Sequence, residues 1–189
     1  MKIKKITEQQ WNLIKKNINF YNFETQDILF GHTFVLKIKL PFLEKLTHNT
    51  YKKINWCSNL FFRIIVDIIH LTDCDYILLH KYSKKWIVNK KIQRNLNKTL
   101  KVNNIKNISN SNIIIDICDV DLLIKFMQSI LMYNSFVNFI INNKKIIITV
   151  TDHFDIFLFF DNDSITSDIQ SVVNIYSKYI IAEENYFEQ

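Results

Sequence analysis

The 189-residue chain has one glycine (Gly31), one proline (Pro41), one alanine (Ala182) and only two arginines (Arg63 and Arg94). A single glycine excludes the glycine-rich phosphate loops of the Walker and Rossmann types and the G-x-S-x-G nucleophile elbow. Each of those needs several glycines where the backbone turns sharply or meets a phosphate. Scarcity of glycine and proline together also excludes collagen-like and low-complexity polymers. Three cysteines, Cys57, Cys74 and Cys118, form no C-x-x-C pair and have no histidine at zinc-finger spacing, so no structural metal site is expected. An odd number of thiols in apolar settings reads as buried, reduced cysteine in a cytoplasmic protein. The N-terminus has no apolar run of secretory-signal length, which places the mature start at Met1. The most apolar stretch, Leu60 to Leu71, is interrupted by Arg63, Asp67 and His70 and falls short of the ~20 residues of a membrane span. A soluble, cytoplasmic protein without a membrane span is expected.

What the chain does have is apolar material: 48% hydrophobic and 14% aromatic residues, far above the level at which chain entropy wins and a sequence stays disordered. At this length one domain buries about 70% of the surface its extended chain exposes. One domain over residues 1–189 is expected, with a basic lobe over 1–107 and an acidic lobe over 108–189 as the alternative. Isoleucine (33), asparagine (22) and lysine (22) dominate, and all three have A/T-rich codons, which points to an A/T-rich genome. Individual lysines and asparagines therefore carry less functional information than usual.

Along the chain, Thr7 and Gln10 make a capping-box pattern ahead of Trp11, Ile14 and Ile18 at helical spacing. Ile28 to Lys39 alternates as a strand, with Gly31 able to supply a bulge and Pro41 ending it. Ser58 to Leu71 reads as a largely buried helix, with Arg63 and Asp67 spaced to pair. Tyr76 to His80 and Trp86 to Val88 suggest two strands, and a short basic helix follows through Ile92 and Leu96. The Asn- and Ser-rich stretch 103–112 is linker-like. After it come a strand over Asn112 to Ile117 and a helix capped by Asp119 that carries Leu123, Ile124, Met127 and Leu131. Phe136 to Ile141, Lys145 to Val150 and Phe154 to Phe160 form the clearest antiparallel meander. A last helix opens at Asp163 or Ser164, with an apolar stripe running from Ile165 to Ile180. The expected fold is α+β: a mostly antiparallel sheet with helices packed on one face, and a C-terminal three-stranded meander followed by a helix.

Charge is distributed unevenly. Residues 1–107 hold 20 basic and 7 acidic side chains, and residues 108–189 hold 4 basic and 11 acidic, so balances of +13 and −7 sum to the net +6. One reading is intramolecular neutralisation between the halves. Another is that each half meets a partner. Between Asp75 and Asp116 there is no carboxylate, and Lys84, Lys85, Lys90, Lys91, Arg94, Lys98 and Lys101 make a segment suited to phosphates. Only one of these cations is the arginine that bidentate phosphate contacts favour, so a solvated surface is the competing reading. In the acidic half, Asp152, Asp155, Asp161 and Asp163 flank the strand that carries Phe157 and Phe159. Clustered carboxylates beside His153 can ligate a divalent ion, but Asp161-Asn162-Asp163 lacks the glycine and terminal glutamate of a calcium loop. Strand termination and helix capping account for the same aspartates.

No catalytic constellation emerges. His32, His48, His70, His80 and His153 are scattered, and none falls in a compact zinc pattern. His70 to Asp75 is the one place where imidazole, thiol (Cys74) and carboxylates adjoin, and adjacency in sequence is weak evidence for a nucleophilic site. In general character the chain resembles stand-alone binding proteins such as bacterial toxin-neutralising immunity proteins, a likeness of type only. It implies a non-enzymatic, stoichiometric occluder of a protein partner, acting without cofactor or metal. Asp152, Asp155, Phe157, Phe159, Asp161 and Asp163 would form the surface that meets a basic toxin domain. The alternative is a nucleic-acid-associated protein using residues 81–106, and an enzyme of unidentified chemistry stands third. The sequence leaves the oligomeric state open.

Overall fold

The computed structural model describes residues 4–45, 50–71, 76–81, 113–116, 137–151 and 153–188, together with the helical residues Ile124, Gln128 and Leu131. After β1 (Lys4–Lys5), the first helix forms where its cap dictates. The Thr7 hydroxyl accepts from the Gln10 N–H, and the Gln10 side chain accepts from the Thr7 N–H. Two otherwise orphaned donors are thereby satisfied at the start of α1 (Glu8–Asn17). β2 (Tyr21–Asn22) and β3 (Asp27–Ile28) then make a small hairpin of their own. β4 (Gly31–Ile38) is shorter than the Ile28 to Lys39 strand the sequence predicts, and Thr33 to Leu36 are buried in succession because both faces of the sheet are covered. Pro41 sits in the first turn of the short α2 (Leu40–Lys45), where a missing N–H costs no helical bond.

α3 (Thr50–His70) begins at Thr50 rather than Ser58, because Ile54 and Cys57 carry the stripe of Phe61, Ile64, Ile65 and Ile68 a further turn back and are buried with it. β5 (Tyr76–Lys81) and β6 (Ile113–Asp116) lead to the meander, β7 (Val137–Ile141), β8 (Ile146–Val150) and β9 (Asp155–Phe160). α4 (Asp163–Ile175) and β10 (Ile180–Phe187) complete the chain. The strand expected at Trp86 to Val88, the basic helix near Ile92 and the linker 103–112 lie outside the described residues. Of the helix expected after Asp119, Leu131 is buried in the core and Gln128 donates to the Asn55 side chain at 2.8 Å.

Eight strands form one antiparallel sheet in the order β1-β6-β5-β7-β8-β9-β4-β10. Strands from the basic and the acidic halves of the sequence interleave in it. One face meets α3 and α4: Phe34, Leu36, Ile156, Leu158 and Phe160 pack with Ile64, Ile68, Ile169 and Val173. These two helices share one face, as expected for the α+β class. The opposite face is covered as well, by α1 and the β2–β3 hairpin, whose Ile14, Ile18, Phe20, Tyr21 and Phe23 bury Leu78, Ile140, Ile147 and Phe159. The strand sequences require this second cover. In β8, Ile146, Ile147 and Ile148 are consecutive and buried, so both faces are apolar, and each such side chain is worth roughly 1.5–3 kcal/mol when removed from water. Among the described residues, no helix is long and apolar enough to cross a membrane.

The final element departs from the sequence expectation. The helix stops at Ile175, and Ile180 opens a strand instead of a further helical turn. The Tyr179 and Ile180 N–H groups both donate to the Tyr176 carbonyl, which reverses the chain. Every residue from Ile180 to Phe187 then pairs with β4, from Ile38 back to Gly31. Local helix propensity in Ala182-Glu183-Glu184 yields to the open edge of β4, where the ladder supplies a bond to every second residue.

Glycine scarcity has a visible cost at turns: Gln26, Lys145 and Phe154 adopt φ of 66°, 52° and 67°, the left-handed region that glycine enters without penalty. Gly31 is kept where no other residue fits. Its φ is +102°, and a Cβ there would meet the Phe160 carbonyl oxygen at 2.5 Å and the Asp161 Cα at 3.1 Å. Gly31→Ala is therefore expected to lower stability by about 2–3 kcal/mol, read as the free energy of chemical unfolding. A loss below ~0.5 kcal/mol would mean that β4 enters the sheet by another path.

Candidate functional site

The acidic end of the sheet is assembled around His32, the second residue of β4. Register places His32 beside Phe160 of β9 and Tyr186 of β10. The imidazole stacks on the Phe160 ring (5.1 Å between centroids, 11° between planes) and touches the Tyr186 ring at 4.8 Å. Its Nε2 lies 2.6 Å from Asp163 Oδ1, in the first turn of α4, and its Nδ1 lies 3.3 Å from Glu184 Oε1, on β10. A carboxylate only accepts, so a doubly protonated ring donates to both partners and a neutral ring to one. The side chain of His32 is largely buried while that of Asp163 is 89% exposed. One imidazole thus clasps three elements.

Next to this clasp, the β7–β8 turn and the start of α4 enclose an open cleft of ≈ 460 Å³ lined by Asn143, Lys144, Lys145, Asp161, Asn162 and Asp163. Lys145 Nζ lies 3.2 Å from Asp161 Oδ2. The Asn17 amide at the end of α1 donates to the backbone carbonyl and the side chain of Asn142, both at 3.1 Å, and so fixes the turn. Asn162 caps α4 by accepting from the Ser164 N–H at 3.0 Å. Both signs of charge line the cleft, and the Lys145–Asp161 pair lies within it.

The residues singled out from sequence do not converge. Asp161 and Asp163 meet at this end. Asp155 lies at the other end of β9, ~15–20 Å away at the usual rise per residue, opposite Lys37 of β4. Asp152 lies outside the described residues, as do Lys84, Lys85, Lys90, Lys91, Arg94, Lys98, Lys101 and the Cys74 thiol. Phe159 is covered by Tyr21 (5.1 Å between rings) and belongs to the core under the β2–β3 hairpin. Phe157 is half-buried against the same cluster and stacks on Phe159. The sequence reading puts both rings on an exposed face, but a hairpin more than a hundred residues upstream covers that face, and no local pattern announces it. Sequence leaves His32 among scattered histidines, and singles out neither Glu184 nor Tyr186, for a related reason. They stand 152 and 154 positions apart in sequence, and only the sheet register unites them.

A second polar group lies under that hairpin. Asn138, 1% exposed, accepts from Thr149 Oγ1 at 2.6 Å, and its amide nitrogen is 3.0 Å from Gln26 Oε1 and 3.4 Å from His80 Nδ1. Trp11 stacks on the His80 ring at 4.4 Å. Hydrogen bonding within this group satisfies it internally, so it fastens the hairpin to the sheet. Cys57 is inert for a related reason: burial in the core pushes its thiol up to about 12, where no nucleophilic thiolate forms near neutrality.

Two predictions follow from these surroundings. Asn138→Ala should cost about 2–4 kcal/mol in unfolding free energy, because it strands Thr149 and Gln26 without their buried partner. A near-neutral effect would mean that water serves the site equally well. For Asp155, burial outweighs the attraction of Lys37 and raises its carboxyl above the ordinary carboxylate range. The folded state then holds the proton more tightly than the unfolded one. Stability contributed by this group is present at low pH and declines as pH rises from the ordinary value near 3.8 through the raised one. Asp155→Asn should therefore raise the melting temperature at pH 7, by an amount worth less than about 1 kcal/mol after solvent screening, and leave it unchanged at pH 3. A variant less stable at pH 7 would show that the Lys37 attraction dominates.

Compared with known proteins, the chain matches no protein-family model, no curated protein and no solved structure.

Proposed function

We propose that the protein is a non-enzymatic binding protein that occludes a basic protein partner stoichiometrically through its acidic C-terminal surface, in the manner of bacterial toxin-neutralising immunity proteins. The observation that carries this reading is the surface of β10. Ile181, Tyr186 and Phe187 are 51%, 61% and 44% exposed, and they stand among Glu183, Glu184 and Glu188, with no lysine or arginine from 180 to 188. Large apolar side chains held in water by a rigid strand and rimmed by like charges are the composition of a protein-binding surface. Phe157 and Phe159 do not serve as its apolar centre, being packed beneath or beside the β2–β3 hairpin. Ile181 and Phe187 take that role on one face of β10, and Tyr186 on the other.

The test is a titration against a partner captured from the native host. One-to-one stoichiometry is expected. Glu183→Lys with Glu188→Lys should slow association about tenfold at low salt and much less at high salt, because exposed rim charges act mainly on encounter. Tyr186→Ala should weaken affinity by about tenfold or more through faster dissociation. A partner that binds both variants with unchanged rate and affinity would make the acidic strand a mere counter-charge to the basic half.

A further inference from the structure

The backbone of β10 extends the reading just given, on which this inference rests, from a surface to a mode of binding. The Lys39 N–H donates to the Tyr179 carbonyl at 2.9 Å, so Tyr179 and Lys39 form a hydrogen-bonded pair of the β4–β10 ladder. Bonded and non-bonded pairs alternate in an antiparallel ladder, so Ile181, Glu183, Asn185 and Phe187 bond β4. The pairing of β8 with β9 gives the same phase independently: the Thr151 N–H bonds the Asp155 carbonyl, so the odd residues of β9 face β8, its even residues face β4, and the odd residues of β4 are left to face β10. Ala182, Glu184 and Tyr186 consequently turn their N–H and C=O groups away from β4. β10 ends the sheet, and among the described residues no strand pairs with that edge.

Edge strands are ordinarily protected by shortness, a bulge, proline or charged side chains, lysine above all. Of these β10 has only the two glutamates Glu183 and Glu184. It runs eight residues and pairs with β4 without a skipped residue. Its Glu183 and Glu184 are drawn inward, to Lys37 at 2.6 Å and His32 at 3.3 Å. Pairing with a second copy is opposed by charge. Two β10 strands can pair antiparallel only with even residues opposite even, and the two such alignments nearest full length set Glu183 opposite Glu183 or Glu184 opposite Glu184 of the other copy.

We propose that the outer edge of β10 accepts an extended segment of a partner protein as a ninth strand, and that this segment carries two adjacent cations within an otherwise apolar or β-branched run. The main chain supplies the hydrogen bonds of Ala182, Glu184 and Tyr186. Because Glu183 and Glu184 point to opposite faces of the sheet, the matching cations must be neighbours in sequence rather than alternate residues.

The probe is a synthetic eight-residue peptide, Thr-Val-Thr-Lys-Lys-Val-Thr-Val, titrated into the intact protein. It should bind at least tenfold tighter than the same peptide with two glutamates in place of the lysines. Two N-methylated versions, each blocking one set of alternate amides, separate strand pairing from simple charge attraction: one should lose tenfold or more in affinity and the other should bind as the parent does. Ala182→Pro removes an outward N–H at a position where an edge strand tolerates proline, and it should reduce binding of the parent peptide tenfold. Equal binding of parent and both N-methylated peptides overturns the proposal, and it does so whether or not the proline variant folds. That failure, alongside variants that weaken the native partner as described above, would remove strand addition and leave the binding function in place. Peptide binding at the edge, alongside a native partner indifferent to Glu183, Glu188 and Tyr186, would remove the binding function instead.

Discussion

β4 is the strand on which the acidic end of the sheet is assembled, and its position depends on one close approach. Gly31 lies where a Cβ would strike the Phe160 carbonyl, so the chain enters the sheet hard against the end of β9. From that point the even residues of β4 bond β9 and the odd residues bond β10. The register that results puts His32 against Phe160 and Tyr186, within reach of Asp163 on α4 and Glu184 on β10. A sequence with one glycine has it at the position from which the arrangement of three later elements follows.

Much of this architecture is legible from local pattern. The capping box at Thr7 and Gln10, the three strands between Val137 and Phe160, and the stripe of α4 through Val173 each depend on residues close in sequence, where period and cap chemistry act directly. What escapes is decided at long range. The apolar stripe of the last helix runs in sequence as far as Ile180, and Ile180 to Phe187 becomes a strand because β4 offers unpaired backbone. Phe159 alternates as an outward-facing strand residue should, and it is buried because Tyr21 returns to cover it. The candidate aspartates look clustered in sequence, yet Asp155 and Asp161 fall at opposite ends of one strand. An extended chain separates what it lists in succession.

The uneven charge of the sequence also takes a different form in three dimensions. Basic and acidic halves do not divide into separate layers, since their strands interleave. Local pairing absorbs part of the charge: Lys37 holds Glu183, Lys145 holds Asp161 and His32 lies between Asp163 and Glu184. Exposed pairs of this kind contribute little to stability. Their effect is positional, because they draw the β10 glutamates inward and leave its outer backbone and its exposed Ile181, Tyr186 and Phe187 accessible to a partner.

The central claim is that β10 is bonded to β4 on one side and open on the other, and amide hydrogen exchange in the free protein tests it most directly. The account predicts an alternation along a single strand: slow exchange at Ile181, Glu183 and Asn185, and exchange close to the unprotected rate at Ala182, Glu184 and Tyr186. Uniform protection would mean that the edge is already covered. Uniform rapid exchange would mean that β10 is not part of the sheet.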